Sequence, residues 1–252
     1  MNGDFLALLP KPPLAPVSAG GSAHQPVQAT TVFAFHCAEG VIIAGDHRAT
    51  AGNTIFSDQT EKILELDSHS LMAIAGAPAT AFEMARTLQT TFEFYRRSQL
   101  QSMSLPAKIR ALSRLLRDNL AATIQGFGVV APIFAGVETD DPAAKPAIYF
   151  YDPLGAQFEA AKFAGSGSGS GSIKSVLHYV EKWGRPRPEQ MGLDEATLLA
   201  VRLLMTAAEF DSATGGVHPE QNIFATIKLL SRDGIKTISQ ADQERCWKEA
   251  IA

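Results

Sequence analysis

Five places in this chain carry residue types that could take part in nucleophilic chemistry. Thr30 and Thr31 open an apolar run, and Asp46 sits in Gly45-Asp46-His47-Arg48-Ala49-Thr50. Lys62 sits in Glu61-Lys62-Ile63, and Asp211 and Thr214 in Asp211-Ser212-Ala213-Thr214-Gly215-Gly216. Glycine and serine alternate over 165–172. A threonine hydroxyl is a poor nucleophile until a base takes its proton, so any such chemistry needs a base beside it. Singly, each feature has an ordinary explanation. Threonines favour strands, and an aspartate after Ala-Gly at a strand end is a turn residue. A lysine after a glutamate is usually solvated, and Asp-Ser-Ala-Thr-Gly-Gly after a helix reads as a cap and turn. Their order along the chain carries more weight than any one of them.

The elements that would position these residues can be read from periodicity. Residues 31–37 and 41–46 alternate with period two and are β-branched, with a tight turn at 38–40 between them. Further strands are expected at 62–66 and 71–75, the last ending at Gly76, and together these four read as an antiparallel meander. Helices are expected over 79–97 and 105–122, where apolar residues recur at helical spacing. Asn119 and Gln125 mark the second exit, and Gly126 and Gly128 stop that helix. Strands at 129–137, 147–152 and 157–163 precede the Gly-Ser run, whose composition is that of a flexible linker. Too few strands follow it for a second sheet, which argues against a domain boundary there. Helices at 173–183 and 194–209, strands at 222–230 and 235–238 and a helix from 240 complete the chain. The whole predicts an α+β sandwich with helices outside two packed antiparallel sheets.

Residues 1–29 differ in composition, with five prolines and the run Ser18-Ala19-Gly20-Gly21-Ser22. Such a segment buries too little apolar surface to offset its ordering entropy, so it reads as a tail or as a leader that is removed. The 252 residues can bury a sizeable core, and the net charge of -4 gives no sign of a nucleic-acid or anionic-membrane partner. No apolar run approaches the ~20 residues of a membrane span. The segment 5–10 is too short for a signal core and has no basic residue before it. Cys37 and Cys246 match no metal spacing, so no metal is expected and a reduced, cytoplasmic setting is the simpler inference.

Taken in order, Thr30-Thr31-Val32, the Ala-Gly-Asp-x-Arg-Ala-Thr segment at 44–50, Lys62, Ala75-Gly76, a Gly-Ser turn and Asp211-Ser-Ala-Thr-Gly-Gly resemble the β-subunit of the 20S proteasome, most closely its bacterial type. The resemblance runs from Thr30 to about 240. It implies the four-layer αββα sandwich of the N-terminal-nucleophile hydrolases and a threonine peptidase domain over 30–252. Residues 1–29 would be a propeptide removed autocatalytically at Ala29–Thr30. Cleavage would free the Thr30 α-amine, with a pKa of roughly 8, to act as the base for its own hydroxyl. Before cleavage that nitrogen is an amide, so the leader would also lock activity.

The same resemblance implies the other site residues. Lys62 would sit beside the Thr30 hydroxyl and amine and favour deprotonation of both, with Asp46 as its carboxylate partner. The Gly76 N–H would stabilise the oxyanion. Asp211 and Thr214 would orient the amine, while Arg48 would be structural. A serine near the amine is also implied: counting forward from the preceding strand favours Ser166, counting back from the helix with Lys174 favours Ser168, and the preference is for Ser168. Two departures stand out. The family usually has glycine before the nucleophile, where a Cβ narrows the backbone of the cleavage turn, and here the residue is Ala29. The loop at 183–193 also reads as longer than in that family.

Ala49, Thr60, Leu64, Ile74, Pro78 and Phe82 would line the pocket for the side chain before the cut bond, and the Thr50 backbone would pair with substrate as an added strand. None is charged, which implies a preference for apolar residues there. Implied partners are α-subunits and other β-subunits in stacked seven-membered rings forming a closed barrel, an ATP-driven unfolding ring, and unfolded protein substrates. The chain has no nucleotide-binding Gly-x-x-x-x-Gly-Lys-Ser/Thr pattern of its own, and no cofactor is implied. Two other readings are an HslV-type peptidase, which lacks Asp-Ser-Ala-Thr-Gly-Gly, and a non-catalytic β-subunit, for which Ala29 is the argument.

Overall fold

The computed structural model describes residues 31–251 apart from 52 and 53. Ala29, Thr30 and the expected leader therefore lie outside the described residues. In chain order the strands β1 (Thr31–Cys37), β2 (Gly40–Gly45), β3 (Ala49–Ala51), β4 (Thr54–Ser57), β5 (Ile63–Asp67) and β6 (Ser70–Ala73) come first. The helices α1 (Pro78–Gln99), α2 (Leu105–Asp118) and the short α3 (Leu120–Ile124) follow. Next are β7 (Ile133–Gly136), β8 (Ala147–Tyr151), β9 (Gln157–Ala160) and β10 (Phe163–Gly167), then α4 (Ser170–Trp183) and α5 (Leu193–Phe210). Strands β11 (Thr226–Ser231) and β12 (Gly234–Thr237) and helix α6 (Gln240–Ile251) close the chain.

Two five-stranded antiparallel sheets result, one ordered β10-β1-β2-β11-β12 and the other β5-β6-β7-β8-β9. Val32, Ala34, Val41 and Ile43 of the first sheet pack against Ile63, Leu71, Ala73, Ile133, Ala135 and Ile148 of the second. On its other face the first sheet sends Phe33, Phe35, Ile42 and Ile227 against α4, α5 and α6. The second sheet sends Met72, Ile74 and Phe134 against Leu88, Leu112 and Leu116 of α1 and α2. The layers are therefore helix, sheet, sheet, helix, as expected. Because β1 and β2 are covered on both faces, their period-two alternation is between two apolar surfaces. A fully buried Ile42 or Ile43 contributes about 1.5–3 kcal/mol.

Several expectations are corrected. The four N-terminal strands do not form one meander: β1 and β2 belong to the first sheet, and β5 and β6 to the second. Between them the β3–β4 hairpin, which periodicity did not reveal, carries the chain across. The expected strand at 157–163 is two strands in different sheets, β9 and β10. The expected helix over 105–122 breaks at Asn119, whose side-chain amide donates to the Gly128 carbonyl and so competes with continued helix. The strand expected at 222–230 begins only at Thr226, after a bridge between His218 and Ile223. The Gly-Ser run is no linker. Its first half is β10, paired to β1 with Thr31 opposite Gly167 and Phe33 opposite Gly165, and its second half begins α4. Composition reports what a segment is made of, not whether a neighbouring strand supplies hydrogen bonds to it.

The long loop at 183–193 packs against the turn end of the first sheet. Ala38 donates to the Met191 carbonyl, Leu193 N–H donates to Glu39, and Lys162 pairs with Glu189 at 2.7 Å. That end is opposite to the one where β1 begins.

Candidate active site

The site is built where β1 starts and β2 ends. Antiparallel register places Val32 across from Gly45, so Thr31 faces the first residue after β2, which is Asp46. The two exchange bonds: Thr31 N–H donates to Asp46 Oδ1 at 3.1 Å, and Asp46 N–H donates to the Thr31 carbonyl at 3.3 Å. Asp46 is 1% exposed, and its carboxylate is saturated by donors. Oδ1 also accepts Lys62 Nζ at 2.7 Å, while Oδ2 accepts Arg48 N–H at 2.9 Å and Gly215 N–H at 2.8 Å.

Lys62 stands just before β5, its carbonyl pinned by the Ile74 N–H, so the second sheet delivers it to the first. It is 1% exposed, and Nζ also donates to the Arg48 carbonyl at 2.5 Å. Burial pushes the ammonium pKa below its ordinary value, and the adjacent Asp46 opposes that shift. An ammonium has three protons. Two go to Asp46 and Arg48, which leaves one without an acceptor among the described residues.

The second cluster surrounds Asp211, which caps the end of α5. Its Oδ2 accepts the hydroxyls of Ser168 and Thr214, each at 2.6 Å, and Oδ1 accepts the Ala213 N–H. Burial raises its pKa, but the Ser168 and Thr214 hydroxyls and the Ala213 N–H together hold it below the usual carboxylate value. Ser166 instead donates to the Ala131 carbonyl at 2.6 Å, tying β10 to the second sheet. Of the two serines weighed from the sequence, Ser168 is therefore the one on Asp211.

Gly76 lies outside these clusters, on the rim of a cavity of about 220 Å³ that Ser168 also lines. It has φ +110°, and a Cβ there would come within 2.1 Å of the Val129 oxygen, so only glycine fits. The bridge to Val130 is made by its neighbours, Ala77 N–H to the Val129 carbonyl and Ala131 N–H to the Ala75 carbonyl. The Gly76 N–H has no acceptor among the described residues.

The residues expected to bind substrate are placed in two groups. Ile74 is buried in the core under α1, with Leu64 and Phe82 partly exposed against it. Pro78 opens α1. Ala49 and Thr50 are buried on β3, where Thr50 pairs with Ile55 of β4, and Thr60 donates its N–H to the His47 carbonyl.

Sequence reasoning assigned no role to Thr31 or to Gly169, and made Arg48 structural. The Thr31 hydroxyl lies 2.5 Å from Thr214 Oγ1 and accepts the Gly169 N–H at 3.0 Å. A Cβ at Gly169 would stand 2.6 Å from Thr214 Oγ1 and 2.7 Å from Thr31 Oγ1, so the site requires a glycine here. Arg48 ties the site together, pairing with Asp58 at 2.9 Å and donating to the Ser212 carbonyl at 3.2 Å. The available signal was Thr31 itself, a polar residue opening a strand that is buried on both faces.

Among the described residues no cluster of histidine, cysteine or carboxylate side chains could hold a metal, and no helix is long and apolar enough to cross a membrane.

The sequence model of the family described as "Proteasome subunit" matches residues 27–218. "Proteasome subunit beta" of Stackebrandtia nassauensis is 36% identical over 248 residues, covering 97% of this chain and 85% of the relative. "Proteasome subunit beta 2" of Thermomonospora curvata is 38% identical over 247 residues, covering 96% and 85%. "Proteasome subunit beta" of Acidimicrobium ferrooxidans is 36% identical over 246 residues, covering 96% and 86%. With the sandwich fold and similarity of this extent, the chain belongs to the bacterial-type proteasome β-subunits.

Proposed function

We propose that this chain is a catalytic β-subunit, a threonine endopeptidase whose nucleophile is Thr30 after removal of residues 1–29 as a propeptide. The observation that carries this reading is that the start of β1 is enclosed by two complete polar clusters, Asp46–Lys62 and Ser168–Asp211–Thr214. A subunit kept only for architecture has no need of a lysine and aspartate both 1% exposed, since a buried ion pair is weak support for stability.

In the proposed cycle the Thr30 α-amine takes the hydroxyl proton, and the remaining Lys62 proton stabilises the alkoxide that attacks the substrate carbonyl. The depressed pKa of Lys62 makes its ammonium a stronger acid and a better donor at that moment. Asp211, through Ser168 and Thr214, orients the amine. The Gly76 N–H receives the developing oxyanion, an interaction worth about 2.7–4 kcal/mol where one donor has been removed in other proteases. The tetrahedral intermediate then collapses, the C–N bond breaking as the Thr30 ammonium gives its proton to the leaving amine, and water hydrolyses the acyl-enzyme with the once more neutral amine as base.

For specificity, the uncharged Ala49, Thr60, Leu64, Ile74, Pro78 and Phe82 support cleavage after apolar residues, with the Thr50 backbone pairing to substrate. The rest of the reading follows the family: stacked rings of β-subunits capped by α-subunits, a closed chamber, and an ATP-driven ring that feeds unfolded chains.

Intact-mass measurement of the assembled particle tests the central step. A mass matching residues 30–252, with hydrolysis of fluorogenic peptides ending in Leu, Phe or Tyr, is expected. Thr30→Ala abolishes both processing and hydrolysis. A full-length chain that persists after assembly without activity refutes the reading, and Ala29 in place of the usual glycine makes that outcome worth seeking. Faster cleavage after basic or acidic residues refutes the apolar preference alone.

A further inference from the structure

Thr31 belongs to both polar clusters at once. Its N–H, in the amide that joins it to Thr30, is held by Asp46 Oδ1, and its hydroxyl is held by Gly169 and Thr214. The direction of that hydroxyl chain is fixed at its two ends. The Gly169 N–H can only donate, and the ionised Asp211 carboxylate can only accept. If Thr214 turned its proton toward Thr31, its oxygen would face Asp211 Oδ2 at 2.6 Å with no proton between them. The proton of Thr214 therefore lies toward Asp211, and the proton of Thr31 lies toward Thr214. Both hydroxyls are buried, at 0% and 1% exposure, so neither rotates toward water. Valine would fill the same volume and favour the strand at least as well. It would also leave the Gly169 N–H without its acceptor and Thr214 Oγ1 without the donor from Thr31, keeping only its own bond to Asp211.

We propose that Thr31 is a positioning residue. Its hydroxyl aligns Thr214 and Asp211 toward the amine of Thr30, and its N–H couples that alignment to the Asp46–Lys62 pair. The proposal rests on reading Thr30 as the nucleophile. A hydroxyl that itself donates along a chain is a better acceptor and donor for the next group. Removing the Thr31 hydroxyl weakens the Thr214 bond to Asp211, and with it the hold that keeps this carboxylate ionised. The other groups near Asp211 are Ser168 from the turn after β10, Lys62 from before β5, and Asp46 and Arg48 from after β2. None of them changes with the substitution.

The test uses assembled particles carrying Thr31→Val, Thr31→Ser or Thr30→Ala. Rates on a fluorogenic peptide ending in Leu are normalised, for the Thr31 variants, to the fraction of chains with the mass of residues 30–252, and for Thr30→Ala to total chains. Thr31→Val is expected to lower kcat on the order of tenfold, the worth of one hydrogen bond. KM should stay unchanged, and the acid limb of the kcat profile, set by the Thr30 amine that must be neutral to act as base, should move to lower pH because a less well held Asp211 stabilises the ammonium less. Thr31→Ser restores both. Wild-type kcat and pH profile in Thr31→Val, with Thr30→Ala inactive, overturns the role of Thr31 alone. Activity persisting in Thr30→Ala overturns the underlying reading instead. If Thr31→Val does not assemble, Thr31→Cys keeps a small side chain with only a weak donor. It should show the same acid-limb displacement, and an unchanged profile overturns the proposal.

Discussion

Replacing Asp46 by asparagine keeps the shape of the side chain and spoils its chemistry. Each carboxylate oxygen accepts two donors: Thr31 N–H and Lys62 on Oδ1, and Arg48 N–H and Gly215 N–H on Oδ2. Whichever way an asparagine amide is turned, its NH₂ meets two donors head-on. Lys62 meanwhile loses its anion at 1% exposure. Removing one partner of a buried pair costs about 3–5 kcal/mol, a large share of a total stability of about 5–15 kcal/mol. At about 2–4 °C per kcal/mol for a chain of this size, Tm falls by roughly 6–20 °C. Lys62→Met is milder, because Asp46 keeps three backbone N–H partners. The double variant is more stable than Asp46→Asn alone, since no unpaired cation remains. Calorimetry on unassembled full-length chains, all carrying Thr30→Ala so that processing cannot differ, measures each value. A Tm for Asp46→Asn within a degree or two of the parent refutes this reasoning. So does a double variant whose loss equals the sum of the two single losses.

Ser168→Ala lowers peptidase kcat on the order of tenfold by removing one hydroxyl from Asp211, whereas Ser166→Ala, which loses only a bond to the Ala131 carbonyl, leaves kcat near wild type. Equal effects in a steady-state assay reject the distinction. Gly76→Ala forces a Cβ against the Val129 oxygen at φ +110° and displaces the oxyanion donor. It should lower kcat by about 10²–10³ without a matching change in KM, and a KM-only effect contradicts the role. The depressed pKa of Asp211 fixes the sign of an acid effect. Between its folded pKa and about 3.9 the unfolded chain binds more protons, so this group's contribution is full above that window and lost as pH falls through it. Asp211→Asn should flatten stability over that range in denaturant titrations at several pH values, and an unchanged acid slope excludes the contribution.

The layers of the fold were legible because their signals are local: period two in β1 and β2, helical spacing in α1 and α2, glycines at the turns. What periodicity could not give was which sheet each strand joins. An extended segment reads alike in either sheet, so the crossing at 161–162 that divides β9 from β10 and the hairpin β3–β4 were invisible. The Gly-Ser run misled for the same reason, since its order comes from β1, more than a hundred residues away in the chain.

The candidate site divides along the same line. Asp46, Lys62, Gly76, Asp211 and Thr214 stood out through their segments, and each segment ends an element or lies just before one. Thr31 stood out only as part of the strand opening and without a role, because its partners Gly169 and Thr214 come from the other half of the chain. This dependence on distant segments has a functional consequence. The two clusters are supplied by the ends of β2 and β10, the start of β5 and the end of α5, so neither sheet alone can complete them. Under the proposed function, Thr30 acquires its lysine, its carboxylates and its oxyanion donor only after both sheets have packed. A partly folded chain holds the nucleophile without the groups that activate it.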